Sequence, residues 1–189
     1  MEKLRYGTKE IIATLIAVVL IVGSRWVEMT FFTVWAGGLQ ISDWIRLRVL
    51  IVAVAAIFFG PATGLISGLS GDLLINTVYS QTLGYPEIIA MGLYGLFLGV
   101  YFGKTHFDLK CVDGRNLLDF NITQIMAGVF LALFFIPMLS FLTEGADLGN
   151  AVSAGARYAV GNALMVGIIC PVIMLAASAL ARGSKRGAP

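Results

Sequence analysis

Asp72, Asn76 and Tyr79 stand four and three residues apart, the spacing that places side chains on one face of a helix. The 23 residues before them, Val49 to Gly71, contain no charged side chain. A carboxylate in such a setting costs roughly 2.5 to 3.5 kcal/mol on insertion scales, so Asp72 is expected to face a partner or a water-filled cavity rather than lipid. Two readings stay open: Asp72 pairs with an arginine such as Arg157, or it lines a ligand pocket. A second set, Ser153, Arg157, Gly161 and Asn162, brings Arg157 and Asn162 close to one helix face. Arg157 is either an interfacial arginine that snorkels toward the headgroups or a ligand contact. The Asn162 amide offers a donor and an acceptor to a polar heterocycle.

The densest polar and aromatic patch runs through Arg25-Trp26-Val27-Glu28, Phe31-Phe32, Trp35, Gly37-Gly38, Asp43-Trp44 and Arg46. All three tryptophans lie in it. An aromatic belt at the headgroup level accounts for Trp26 and Trp44 at helix ends. Trp35 sits mid-loop beside a diglycine, as expected of a lid that folds over a bound ring. Trp26, Trp35, Trp44 and Tyr79 suit a flat ring, Glu28, Asp72 and Glu87 accept hydrogen bonds from an amine or protonated ring nitrogen, and Asn76 and Asn162 complete a polar edge.

Several chemistries lack their residues. The single histidine, His106, has no second ligand nearby, so neither a metal site nor zinc or copper chemistry is expected. There is no GxxxxGK[ST] loop for ATP and no GxSxG elbow. Cys111 and Cys170 lie far apart without CxxC spacing, and neither a disulfide nor a metal is expected from them. No enzyme activity or cofactor is expected. The net charge of +2 forms no basic face for nucleic acid.

The elements that must position these residues are membrane helices. Phe120 to Thr143 and Tyr158 to Ala181 each run 24 residues without a charge, and about 20 such residues span a bilayer core. The chain of 189 residues is 58% hydrophobic and 13% charged, with a mean hydropathy of +0.88, against roughly a quarter charged in an ordinary soluble domain. The opening lacks the small-residue cleavage site of a signal peptide, so the first segment is expected to stay.

Breaks in the apolar pattern give six transmembrane helices in a single membrane domain over 1–189, at roughly 9–29, 45–59, 62–80, 86–103, 120–141 and 153–181. Gly60-Pro61 is the doubtful break, since a kinked helix could run through it. Charge parity decides for six. Nine of the 13 basic residues, in groups at Lys3 to Lys9, Lys104 to Arg115 and Arg182 to Arg186, then fall on the cytoplasmic side with both termini, as the positive-inside rule favours. Arg25, Arg46, Arg48, Arg157, Glu28 and Glu87 fall near the outer face, with Asp72 somewhat deeper.

Ala13-x-x-x-Ala17 in the first helix, the turn Phe59-Gly60-Pro61-Ala62-Thr63-Gly64, the stretch Gly71-Asp72 to Asn76 and the opening Asp119-Phe120-Asn121-Ile122 together resemble the substrate-binding S components of energy-coupling-factor (ECF) type ABC transporters. The likeness is nearest to the riboflavin-transporter S-component type and the uncharacterised UPF0397-like group. It spans nearly the whole chain, and departs at Asp72, where the resemblance would place a histidine. It implies a prokaryotic cell-membrane protein that captures a vitamin or cofactor precursor at its outer end. It also implies docking, through Ala13 and Ala17, on a transmembrane coupling subunit driven by two ATPases. Small residues four apart permit that close approach. Riboflavin, thiamine or its pyrimidine, pyridoxamine and queuosine precursors fit the aromatic and acidic groups, while Arg46, Arg48 and Arg157 keep pantothenate and folate open. The competing expectation is an autonomous proton-coupled carrier using Asp72; inverted repeats, frequent in such carriers, are not evident.

Overall fold

The computed structural model describes residues 7–32, 46–79, 84–104 and 112–183, and no strand occurs among them. The first helix, α1 (Thr8–Val27), opens where the Gly7 N–H donates to Glu10 Oε2 at 2.9 Å, and a π-helical turn, Glu28–Phe32, extends it. Next comes α2 (Leu47–Phe59). It stops at Gly60, whose φ of 94° lies in the region that favours glycine. Pro61 then starts α3 (Pro61–Tyr79), at the first helical position where its missing N–H costs nothing. The Gly60-Pro61 break is therefore real, and α2 and α3 pack on one another as neighbours.

Beyond them lie α4 (Tyr85–Lys104) and α5 (Gly114–Phe130). The fifth stretch begins six residues before the expected 120, because Asp113 caps it by accepting the Asn116 N–H at 2.8 Å. A π turn, Leu131–Phe135, joins α5 to α6 (Ile136–Glu144). Pro137 explains the wider turn: its ring displaces the carbonyl four residues back, and the Ile136 N–H donates to the Leu131 carbonyl instead. The last helix, α7 (Leu148–Gly183), starts five residues earlier than 153, where Asp147 accepts the Asn150 N–H at 2.9 Å.

Four stretches among the described residues are long and apolar enough to cross a bilayer: Thr8–Thr30, Tyr85–Lys104, Gly114–Glu144 and Ala159–Leu180. At about 1.5 Å per residue, the 13-residue α2 is shorter than a bilayer core. The outer surface of the bundle is oily, with Val19 70% and Leu180 76% exposed. Water would penalise such a surface, whereas lipid does not. A multi-pass membrane protein is the architecture these helices suit.

Inside, Ile21, Val52, Ile75, Leu98, Phe120 and Met174 form the apolar core. α3 and α4 approach each other backbone to backbone. A Cβ on Gly64 would lie 2.6 Å from the Gly95 carbonyl oxygen, and one on Gly68 would lie 2.6 Å from that of Met91. Gly92, Gly95 and Gly99 thus serve packing inside the bundle. With α3 and α4 fixed backbone to backbone, the polar residues they carry are held in register.

Candidate ligand site at a buried ion pair

Asp72 is completely buried on α3, and Arg48, near the start of α2, is nearly so. Arg48 Nη1 donates to Asp72 Oδ1 at 2.6 Å. The α2–α3 turn explains the meeting: positions 48 and 72 are each twelve residues from Gly60, so a hairpin folded there brings them level, about 18 Å from the turn at the helical rise. Asp72 pairs with Arg48; the Arg157 side chain lies outside the described residues.

The pair belongs to a wider network. Glu87, at the start of α4, lies 3.7 Å from Arg46 and 3.9 Å from Arg48. Glu28 is buried at the end of α1, where its Oε1 accepts the Leu47 N–H at 2.6 Å and its Oε2 lies 3.4 Å from Arg25. Glu28 thus caps α2 from another helix, a favourable place for a carboxylate because the helix dipole is positive there. Asn76 donates to the Asp72 carbonyl at 2.9 Å, so one of its two amide N–H groups is spent on its own helix.

Asp72 Oδ2 is buried and has no hydrogen-bond partner among the described residues. Asn162 Oδ1, on α7, is in the same condition. Both residues line one cavity, with Arg48, Glu87, Met91 and Tyr94 among its other walls. Its volume is about 30 Å³, the room of a single water. A buried carboxyl oxygen without a hydrogen-bond partner is costly, and this chamber is where one would be supplied.

Of the residues singled out by sequence, Asp72, Glu87 and Asn162 meet at this cavity. Glu28 and Asn76 stand behind it as supports. Trp26 is 59% exposed and lines none of it, and Tyr79 is exposed rather than sharing the buried face of Asp72 and Asn76. Tyr79 sits in the last helical position, where α3 has run past the core. Trp35 and the proposed lid lie outside the described residues.

Sequence reasoning passed over Tyr94 and Gln124. Tyr94 Oη lies 3.4 Å from Gln124 Oε1, and both are buried. Their signal was an isolated polar side chain in an apolar span, the same one that marked Asp72. From the sequence Arg48 stood as an outer-face cation that, with Arg46 and Arg157, kept a carboxylate ligand open, and its pairing with Asp72 was not expected.

Ala13 and Ala17 are 8% and 5% exposed. They floor an apolar groove of about 250 Å³ between α1 and α2, whose walls include Ile16, Leu20, Leu50 and Phe59.

UPF0397 proteins of Streptococcus pneumoniae strains G54, 70585 and R6 are each 26% identical to this chain over 132 residues, which is 70% of this chain and 72% of theirs. The likeness to UPF0397 proteins expected from the motifs is thus found across most of both chains. No family model matches the chain. No solved structure matches it either.

Proposed function

We propose that this chain is the substrate-binding S component of an ECF-type transporter in a prokaryotic cell membrane, crossing it six times with both termini in the cytoplasm. The observation that carries this reading is Asp72, held on one oxygen by Arg48 and left open on the other inside a cavity. An ion pair kept only for stability would gain by satisfying both oxygens. A binding subunit keeps one for its guest.

The guest is a small heteroaromatic micronutrient. Asp72, Glu87 and Asn162 supply its direct polar contacts, Glu28 and Asn76 hold the frame, and Trp26, Trp35, Tyr79 and Arg157 serve from the outer rim. Ala13 and Ala17 form the floor of the docking groove for a transmembrane coupling subunit, and two ATPase subunits supply the energy. The UPF0397 relatives and the ordered motifs support this assignment. The chain itself is no enzyme.

Mass spectrometry of the purified chain is expected to find a bound small molecule, whose uptake into vesicles requires ATP and the coupling subunits, while its binding requires this chain alone. Uptake by the chain alone on a proton gradient would overturn the reading in favour of an autonomous carrier. The docking face is tested at Ile16, which lines the groove and is exposed, whereas Ala13 is packed within the chain. Ile16→Glu is expected to abolish coupled uptake and leave ligand binding unchanged; normal uptake would remove the groove from the docking surface.

A further inference from the structure

What the Arg48–Asp72 chamber lacks is donors. Asp72 Oδ2 and Asn162 Oδ1 are buried oxygens with no hydrogen-bond partner among the described residues, and both residues line the chamber. The guanidinium beside them is taken: Arg48 Nη1 donates to Asp72 Oδ1 at 2.6 Å, and Arg48 Nη2 lies 3.9 Å from Glu87 Oε2. Tyr94, also in the wall, gives its hydroxyl to Gln124 Oε1 at 3.4 Å, so it sends no donor to either oxygen. An anion entering here would meet a cation already shared between two carboxylates. The chamber asks for a group that donates and does not accept.

Size narrows the choice. About 30 Å³ is the room of one water, whereas sites that enclose a whole small organic ligand measure roughly 300–1,000 Å³. No ring fits. Charge narrows it further, because the lining carries Asp72 and Glu87 against Arg48, and Arg46 reaches Glu87 from outside the lining, at 3.7 Å. A divalent metal ion would need about six oxygens, where two unpartnered ones are offered. An ammonium group is close to a water in size, is positively charged, and has three donors and no acceptor. The way in is marked by exposure: the Glu87 side chain is 32% exposed, against 7% for Arg48 and 0% for Asp72. Whatever carries the ammonium stays on the Glu87 side, at the start of α4.

We infer that the guest carries a primary ammonium group, and that this group by itself enters the chamber, donating to Asp72 Oδ2 and Asn162 Oδ1. This inference rests on the reading of the Asp72 cavity as the ligand site. It gives each wall a separate task. Asp72 answers the charge, Asn162 supplies the second acceptor, and Arg48, by holding Asp72 Oδ1, keeps Oδ2 turned to the guest. A compound whose polar end is only a carboxylate is refused, since the free oxygens would repel it.

Methylammonium chloride is the probe, titrated against the full chain in lipid nanodiscs with thermal unfolding as the readout, since a ligand of the folded state raises the midpoint with its concentration. Tetramethylammonium chloride carries the charge without an N–H, and methanol is a neutral donor of similar size. Methylammonium is expected to raise the midpoint saturably, and the other two are expected to leave it unchanged at equal concentration. Asn162→Leu keeps the volume and loses the acceptor, and is expected to weaken methylammonium by about tenfold, the worth of a hydrogen bond to a charged group. Asn162→Lys is longer by one heavy atom and brings its own ammonium, so its midpoint is expected to ignore methylammonium. Equal shifts with tetramethylammonium would overturn the donor contacts, and equal shifts with methanol would make the chamber a site for water. No shift with any probe, or an unchanged response in both variants, would overturn the site. The small molecule found in the purified chain is expected to take an amine-selective label once released, and one without an amine would end the inference. Each of these failures leaves the S-component reading standing, because that is judged by ATP-dependent coupled uptake.

Discussion

At the scale of single residues, the Arg48–Asp72 pair is buried on both sides, so stability depends on keeping both partners. Removing one partner of a buried pair leaves an uncompensated charge, while replacing both by apolar groups is often nearly neutral. Asp72→Ala is therefore expected to destabilise the chain by about 3–5 kcal/mol, and Arg48→Met in the same chain to recover most of that loss. Denaturant unfolding in detergent measures both, and equal stability of the single and double variants would deny the coupling. Glu28 makes a separate prediction. Glu28→Ala strands the Leu47 N–H, at a cost of about 1–3 kcal/mol, whereas Glu28→Gln keeps an oxygen acceptor and most of the stability.

Among elements, the α3–α4 contact leaves little latitude. Gly64 and Gly95 meet with no room for a Cβ on either. Gly64→Ala must separate the helices and is expected to cost about 1–3 kcal/mol through overpacking. A Cβ on Gly103, in the same α4, meets nothing within 4 Å. Gly103→Ala is accordingly expected to be neutral or stabilising by about 0.5–1 kcal/mol through helix propensity. Thermal unfolding of the two variants side by side checks the contrast, and a similar gain in both would show that the glycines matter only for propensity. The same contact explains the site, since Asp72 and Glu87 reach Arg48 only if α3 and α4 hold their spacing. Gly60 sets the other dimension by fixing the turn that brings residues 48 and 72 level.

For the molecule as a whole, the proposed topology predicts which side of the membrane each connection faces. In a chain lacking Cys111 and Cys170, a cysteine at Glu144 is expected to react with an impermeant maleimide added to intact cells. One at Gly114 is expected to react only after permeabilisation. Both positions are open, since Glu144 is exposed and a Cβ on Gly114 meets nothing within 4 Å. The opposite pattern would invert the orientation and place the Arg48–Asp72 cavity toward the cytoplasm, where an uptake system could not capture from outside.

What the sequence determined by itself was membrane residence, the helical class and the break at Gly60-Pro61, because run length, charge spacing and backbone restriction are local properties. It also marked Asp72 and Asn162, whose polarity conflicts with their surroundings at every level of reading. Helix ends at Gly114 and Leu148 escaped it, since the side chains that cap them lie in polar stretches that look like loop. Tertiary structure alone decided that Asp72 faces Arg48, and that Ala13 and Ala17 are buried at the floor of a groove between α1 and α2. Each of these depends on how far one helix is rotated and shifted against another. That relation is set by glycine contacts and turns far along the chain, and the periodicity of a single helix does not contain it.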